Sequence, residues 1–420
     1  MVYINNFINR FKNDSFYRDT FFLFFATMIM NLGSFLYHFI MGRFLGPEQY
    51  SILGVILSFV YIFFVGSYVL QTSISKFVAE FRVKNQLENI KSLYTKALKK
   101  VIIFGIILFI LFSTASFFLS NLLNIPLSLI LLFGLSIPFM LLLGVTRGLL
   151  QGVQNFKLLG YNFILETFSK FVLGFVLVFL GFNIFGAVFG IIAGYIIPFL
   201  FLVYILKKYF SKSVNNFSSK VVYNYSIPVF FVLIFLTLFY SLDVLFVKYY
   251  FDSLNAGYYV AVALLGRIVF FASSSIVFVL FPKVVEQHTM GKSDFRLLKK
   301  ALLLITILCV FLFLIYFFLP KLIVLILFGE KYFGIIPYIP VFAIIMALFS
   351  YVYVLSFYNL SINRIKFIYA LAVLFILEIA LFILFHNTIW HILFVLLGLI
   401  SATFIFMIIY TFFMPKSRSP

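Results

Sequence analysis

The chain has 420 residues, 65% of them hydrophobic and only 10% charged, with a formal net charge of +19. A water-soluble domain is nearer half apolar and a quarter charged, so this composition excludes a soluble globular protein and makes lipid the solvent. In a soluble protein the positive charge would point to nucleic acid; here it points to lysines and arginines gathered on one side of a membrane, and nucleic acid is not an expected partner.

About 20 apolar residues cross a bilayer core, and twelve runs of that kind follow one another along the chain. The first, 20–41, lacks the short apolar segment and small-residue cleavage site of a secretory leader. After the Gly46–Pro47 turn signal comes 50–72, then a connector over 73–97. There Glu80 with Lys84 and Glu88 with Lys91 have helical spacing, and Phe77, Phe81, Ile90, Leu93 and Tyr94 form a rough apolar stripe. This reads as an amphipathic helix along the cytoplasmic interface, with a plain positively charged connector as the other reading. Runs 98–120 and 126–147 are parted by Asn124 to Pro126, and 160–180 and 184–206 by Gly181 to Asn183. A segment rich in Ser, Asn and Lys, 207–223, is the expected hinge. Runs 223–248, 256–282, 300–319, 337–360, 365–385 and 389–413 complete the chain. The single cysteine, Cys309, lies inside one of them, which rules out an internal disulfide and reads as packing. Backbone groups in lipid must be paired within the segment, so these runs are helices; a strand barrel would alternate polar and apolar residues.

With this count, 25 of the 31 lysines and arginines fall at the N-terminus, the C-terminus and every second loop. Four, namely Arg43, Lys248, Lys321 and Lys331, fall on the other side, and Lys170 and Arg267 fall within spans. This asymmetry places both termini in the cytoplasm of a multi-pass cell-membrane protein.

The chain also repeats itself. ALKKVIIFGIILFIL at 97–111 is matched by LLKKALLLITILCVF at 297–311; KFVAE at 76–80 by KVVE at 283–286; QNFK at 154–157 by NRIK at 363–366. The offsets of 200, 207 and 209 join corresponding loops of two six-span halves. Six is even, so the halves are parallel repeats. The expected fold class is an all-α integral membrane protein of two six-helix bundles, 1–210 and 211–420, forming two lobes around a cleft that opens to alternate sides.

Three stretches carry a resemblance. GRFLGPEQY at 42–50 resembles the first hairpin of polysaccharide-biosynthesis flippases of the multidrug/oligosaccharidyl-lipid/polysaccharide exporter superfamily. FDSLNAGY at 251–258 is a weaker echo of it, and RGLLQGVQNF at 147–156 is also similar to this family. The resemblance implies an O-antigen-type flippase, which moves a polyprenyl-phosphate-linked or pyrophosphate-linked oligosaccharide from the cytoplasmic to the outer leaflet. The expected partners are that lipid, the surrounding membrane lipids and a monovalent cation or proton, with the chain working as a monomer.

A saccharide head and its anionic linker need cationic groups inside the membrane, where they are costly unless used or paired. Arg267 in the eighth span is the foremost candidate, as a phosphate ligand or as a static partner of Asp243; the two differ by roughly 9 Å in depth at 1.5 Å per residue. Asp243 is alternatively a proton or cation site. Glu166 and Lys170, four apart on the fifth span, read as a local pair or as cleft residues. Glu378 has no obvious partner near in sequence and reads as neutral, buried or proton-binding. Arg43 and Lys248 at outer span ends are linker candidates or snorkelling residues. Arg147 needs no function beyond charge placement, and His38, His386 and His391 lack acidic or cysteine partners for a metal.

Met290 to Ser293 reads MGKS but lacks the earlier glycine of a phosphate loop, and no Gly-x-Ser-x-Gly elbow occurs. No cofactor and no catalytic residue is expected. Three other readings compete. A cation-coupled multidrug exporter of the same superfamily is opposed by a first span without an acid. A peptidoglycan-precursor flippase is opposed by the span count. A membrane-embedded polymerase or ligase is opposed by the lack of a large outer loop.

Overall fold

The structure is a computed structural model and describes residues 15–209, 220–289, 295–362 and 364–413. Most of the 207–223 hinge segment, the MGKS stretch and Asn363 lie outside them. The described residues are helical throughout, and thirteen α-helices are numbered here in chain order.

Two compact units are present: residues 1–45 with 59–230, and residues 46–58 with 231–420. Unit 1 begins with α1 (Ser15–Val83), a 69-residue helical stretch that breaks at Gly46. Gly46 has φ 71°, a left-handed conformation that costs any residue with a Cβ, and Pro47 then restarts the helix without losing a bond. After α2 (Leu87–Leu123), Asn124 adopts the left-handed conformation and caps the helix through the Ser120 carbonyl. Next come the short α3 (Leu127–Gly134), α4 (Ser136–Gly152), α5 (Phe156–Leu177) and α6 (Asn183–Ile205). Between α5 and α6 the chain breaks at Gly181, φ 92°.

Ten described stretches are long and apolar enough to cross a membrane, but two are 59 and 50 residues long, Phe25–Val83 and Phe156–Ile205. A straight helix of that length would be roughly 75–90 Å, far beyond a core of about 30 Å. Each contains one of the glycine breaks and supplies two crossings, which restores the twelve spans of the sequence.

Small residues set the helix contacts in unit 1. Gly144, Gly148 and Gly152 recur every fourth residue of α4, and an added Cβ on them would run into Ser67, Gln71 and Val78 of α1. Lipid supplies no hydrophobic drive between helices, so this close approach and its dispersion energy hold the pair. Ser67 Oγ donates to the Met140 carbonyl at 2.7 Å, and Gln71 donates to Gln151 at 3.0 Å.

The 73–97 connector differs from the interfacial helix expected. α1 continues to Val83, and a turn at Lys84 to Gln86, with Asn85 at φ 55°, leads directly into α2. The apolar stripe is buried, as Phe77, Phe81, Ile90, Leu93 and Tyr94, but inside a helical hairpin.

Unit 2 contains α7 (Lys220–Tyr250), α8 (Ser253–Thr289), α9 (Phe295–Phe318), α10 (Pro320–Leu327), α11 (Ile339–Ser361), α12 (Phe367–Leu384) and α13 (Ile389–Phe412). It also holds residues 46–58 of α1, where Gly54 packs on Val260 and the Tyr50 ring meets Phe328 and Tyr332. The same neighbours recur in both units. α4 packs on α1, α2 and α6, and α5 on α6. α11 packs on α8, α9 and α13, and α12 on α13. This is the pattern a duplicated six-span unit gives.

Candidate functional site

Among the described residues, a network of buried charge lies within the spans of each unit. In unit 1, Arg147 near the end of α4 is 3% exposed. Its Nε donates to Asn162 Oδ1 at 2.7 Å, and its terminal nitrogen donates to Glu166 Oε2 at 2.6 Å, both acceptors on α5. Asn162 in turn donates to the Pro198 carbonyl of α6 at 3.0 Å. The guanidinium carbon lies 4.6 Å from the centre of the Phe163 ring. Arg147 thus ties three helices together, a role that charge placement alone does not describe.

Arg147 also corrects the expected Glu166–Lys170 pair. Glu166 turns to the guanidinium of another helix, and Lys170, one turn on, donates to Ser34 Oγ of α1 at 2.9 Å. The Lys170 ammonium stands 5.4 Å from the Tyr37 ring centre, and the Tyr37 hydroxyl donates to the Ala187 carbonyl at 2.7 Å. Lys170 therefore rests on a hydroxyl and an aromatic face, with Glu166 felt only at longer range.

In unit 2, Asp243 of α7 is fully buried. The Tyr259 hydroxyl of α8 donates to one of its oxygens at 2.9 Å, and Arg267 donates to the other at 3.2 Å. The same Arg267 nitrogen reaches the Tyr240 carbonyl at 2.5 Å. The depth offset of Asp243 and Arg267 is thus bridged by the length of the arginine side chain, and the ion pair is closed. Glu378 of α12 is also fully buried, and neither of its oxygens has a hydrogen-bond partner. It lies close enough to Asp243 for their charges to interact. Unit 2 thus buries two acids and one guanidinium within its spans, charges that are costly in a membrane unless used or paired.

Lys248 and Arg43 part company. Lys248 is 3% exposed and donates to Ser51 at 3.1 Å and Ser253 at 2.9 Å, so it pins residues 46–58 to the α7–α8 turn within unit 2. Arg43 is exposed. In that turn Asp252 accepts from the Asn255 side chain at 2.6 Å, and these bonds hold its carboxyl below the usual range. Of the histidines, His386 stacks on Tyr250 at 3.7 Å and His391 is bonded to Thr388. No group of three metal-ligating side chains occurs among the described residues.

The fold has solved counterparts. An inward-facing multidrug resistance MATE family transporter of the MOP superfamily superimposes with a TM-score of 0.72 at 13% identity, covering 91% of this chain and 96% of the other. A MOP superfamily transporter from Pyrococcus furiosus, whose binding pocket of reversed polarity suggests a different function, gives 0.65 at 17% identity with 93% of each chain covered. The MATE transporter ClbM in complex with Rb+ gives 0.62 at 13% identity with 96% of each covered. These likenesses show that the chain shares their fold. No curated protein matches the sequence. A sequence profile described as "Polysaccharide biosynthesis protein" matches residues 16–288, well over half of the chain, and the protein belongs to that family of multi-pass membrane proteins.

Proposed function

We propose that the protein is a flippase that moves a polyprenyl-phosphate-linked or pyrophosphate-linked oligosaccharide from the cytoplasmic to the outer leaflet by alternating access. The observation that carries this reading is Lys170. It is a cation within a span, and its bonded partner is the neutral Ser34, while the nearest acid on its own helix is held by Arg147. Charge of that kind is expensive in a membrane and marks a ligand path. An ammonium is a compact point charge suited to a phosphate oxygen, and the adjacent Tyr37 ring and Ser34 hydroxyl suit a sugar or linker. Membership of a polysaccharide biosynthesis family supports a glycan cargo.

A second reading is a cation-coupled multidrug exporter. It is favoured by the multidrug transporters that share the fold and by the Asp243–Glu378 pair. The same pair would serve a flippase as the proton or cation site that drives its cycle.

One reconstitution separates the two. The purified protein is placed in proteoliposomes with a polyprenyl-pyrophosphate oligosaccharide or with a cationic dye, under an imposed proton or sodium gradient. Outer-leaflet sugar is counted with an impermeant glycosidase. The flippase reading expects sugar translocation that falls at least tenfold in Lys170→Ala and is largely kept in Lys170→Arg. Dye export without sugar translocation, sensitive to Glu378→Gln, would establish the exporter instead.

A further inference from the structure

The repeated Lys–Lys motif is not used by either charge group, yet it has a definite place in both units. Lys99 and Lys100 are exposed at the start of the apolar part of α2, and Lys299 and Lys300 are exposed at the start of α9. Only 22% of the apolar window of each helix is buried. The faces match residue for residue at an offset of 200. Ile103 and Leu303 are each 61% exposed, and Phe104 pairs with Leu304, Ile107 with Ile307, Ile110 with Val310 and Leu111 with Phe311, all exposed. The opposite faces match too: Leu98 and Leu298, Val101 and Ala301, and Ser116 and Tyr316 are buried.

On a helix, residues three, four, seven and eleven positions on from a given residue share its face. Lys99 and Lys100 therefore stand directly at the foot of the lipid-facing stripe of α2, and Lys299 and Lys300 at the foot of that of α9. From Lys100 to the Asn124 cap is roughly 36 Å at 1.5 Å per residue, slightly more than a hydrocarbon core. The two ammonium groups of each pair thus lie at headgroup depth, with hydrocarbon directly above them. The Lys299 ammonium is also held 5.0 Å from the centre of the Phe295 ring, which keeps it beside the helix.

We propose that the two Lys–Lys pairs are equivalent binding sites for anionic phospholipids, one per repeat, in the leaflet on the lysine-rich side. Each pair takes the headgroup phosphate of one lipid, and its acyl chains lie along the exposed stripe of α2 or α9. Two adjacent lysines are arranged for a lipid of net negative charge and give no advantage to a zwitterionic one, whose own cation opposes them. The duplication of the motif then has a physical basis: each unit carries its own lipid anchor on a largely exposed apolar stripe.

The test is native mass spectrometry of the detergent-purified full chain, titrated with phosphatidylglycerol or phosphatidylcholine. Two phosphatidylglycerol molecules are expected to be retained in preference to phosphatidylcholine. Lys99→Ala with Lys100→Ala should remove one of them, and all four substitutions should remove both, with affinity falling roughly fivefold per lysine. Lys366→Ala, an exposed lysine outside the stripes, should leave both bound. A fourfold variant that elutes as a folded monomer and still retains both lipids would overturn the proposal. So would displacement of the lipid by inorganic phosphate at equal concentration, which would make each pair a site for free anions.

Discussion

The arginine on α8 has two distinct effects when removed, and they are separable. Arg267 compensates Asp243, which is fully buried and also accepts from the Tyr259 hydroxyl. Breaking a buried pair by removing one partner costs about 3–5 kcal/mol, because the remaining charge is stranded. Arg267→Ala is therefore expected to lower the thermal unfolding midpoint of the purified protein by several degrees. Arg267→Met with Asp243→Asn, which removes both charges, should recover most of that loss. If Arg267→Ala unfolds like the parent and still fails to transport, the guanidinium acts on cargo and not on Asp243. The sequence supplied both partners of this pair, since they lie on consecutive spans. It did not supply the partner of Glu166. Helical spacing points to Lys170, four residues away, whereas the actual partner is Arg147, nineteen positions earlier on a neighbouring helix. Local periodicity reports which residues share a face and says nothing about which helix that face meets. Glu378 was legible as an isolated acid, but its lack of any bonded partner is a property of packing alone.

At the scale of the helices, glycine carries the architecture in two ways. At Gly46 the left-handed backbone turns one helical stretch into two, and Gly46–Pro47 announces that turn in the sequence. At Gly148 the requirement is close approach, since an added Cβ would sit 2.7 Å from the Gln71 carbonyl and 2.9 Å from Ile74. Overpacking of this kind costs about 1–3 kcal/mol. Gly148→Val is thus expected to reduce the yield of folded protein and its resistance to heat in detergent. Gly398→Ala on α13, where nothing lies within 4 Å, is the matched control and should be silent. The α1–α2 hairpin shows the opposite case. A largely helix-compatible stretch from 73 to 97 holds a three-residue turn at Lys84 to Gln86 whose one local signal is Asn85, at φ 55°, between two good helix formers. The amphipathic stripe was readable there; the direction in which the chain carried it was not.

For the molecule as a whole, the decisive quantity is the parity of crossings. Twelve spans put every lysine-rich loop on one side, and that parity depends on Gly46 and Gly181 each dividing a long helical stretch. Had either stretch been a single crossing, the charges beyond it would change sides and the 25-to-4 asymmetry would collapse. The recurrence of the α1–α4, α2–α4, α4–α6 and α5–α6 contacts as α8–α11, α9–α11, α11–α13 and α12–α13 fits two halves of the same number of crossings. Cys309 is the one cysteine and is buried, so Cys309→Ser provides a clean background for single reporters. In intact cells, an impermeant maleimide is expected to label Leu254→Cys and His386→Cys, which lie at the start of α8 and in the α12–α13 turn. Lys84→Cys and Lys366→Cys should be labelled only after the membrane is opened. Labelling of Lys84→Cys and Leu254→Cys from the same side would mean an even number of crossings between them, where the twelve-span chain has five. The parallel repeat would then fail, and with it the assignment of cytoplasmic loading to a flippase.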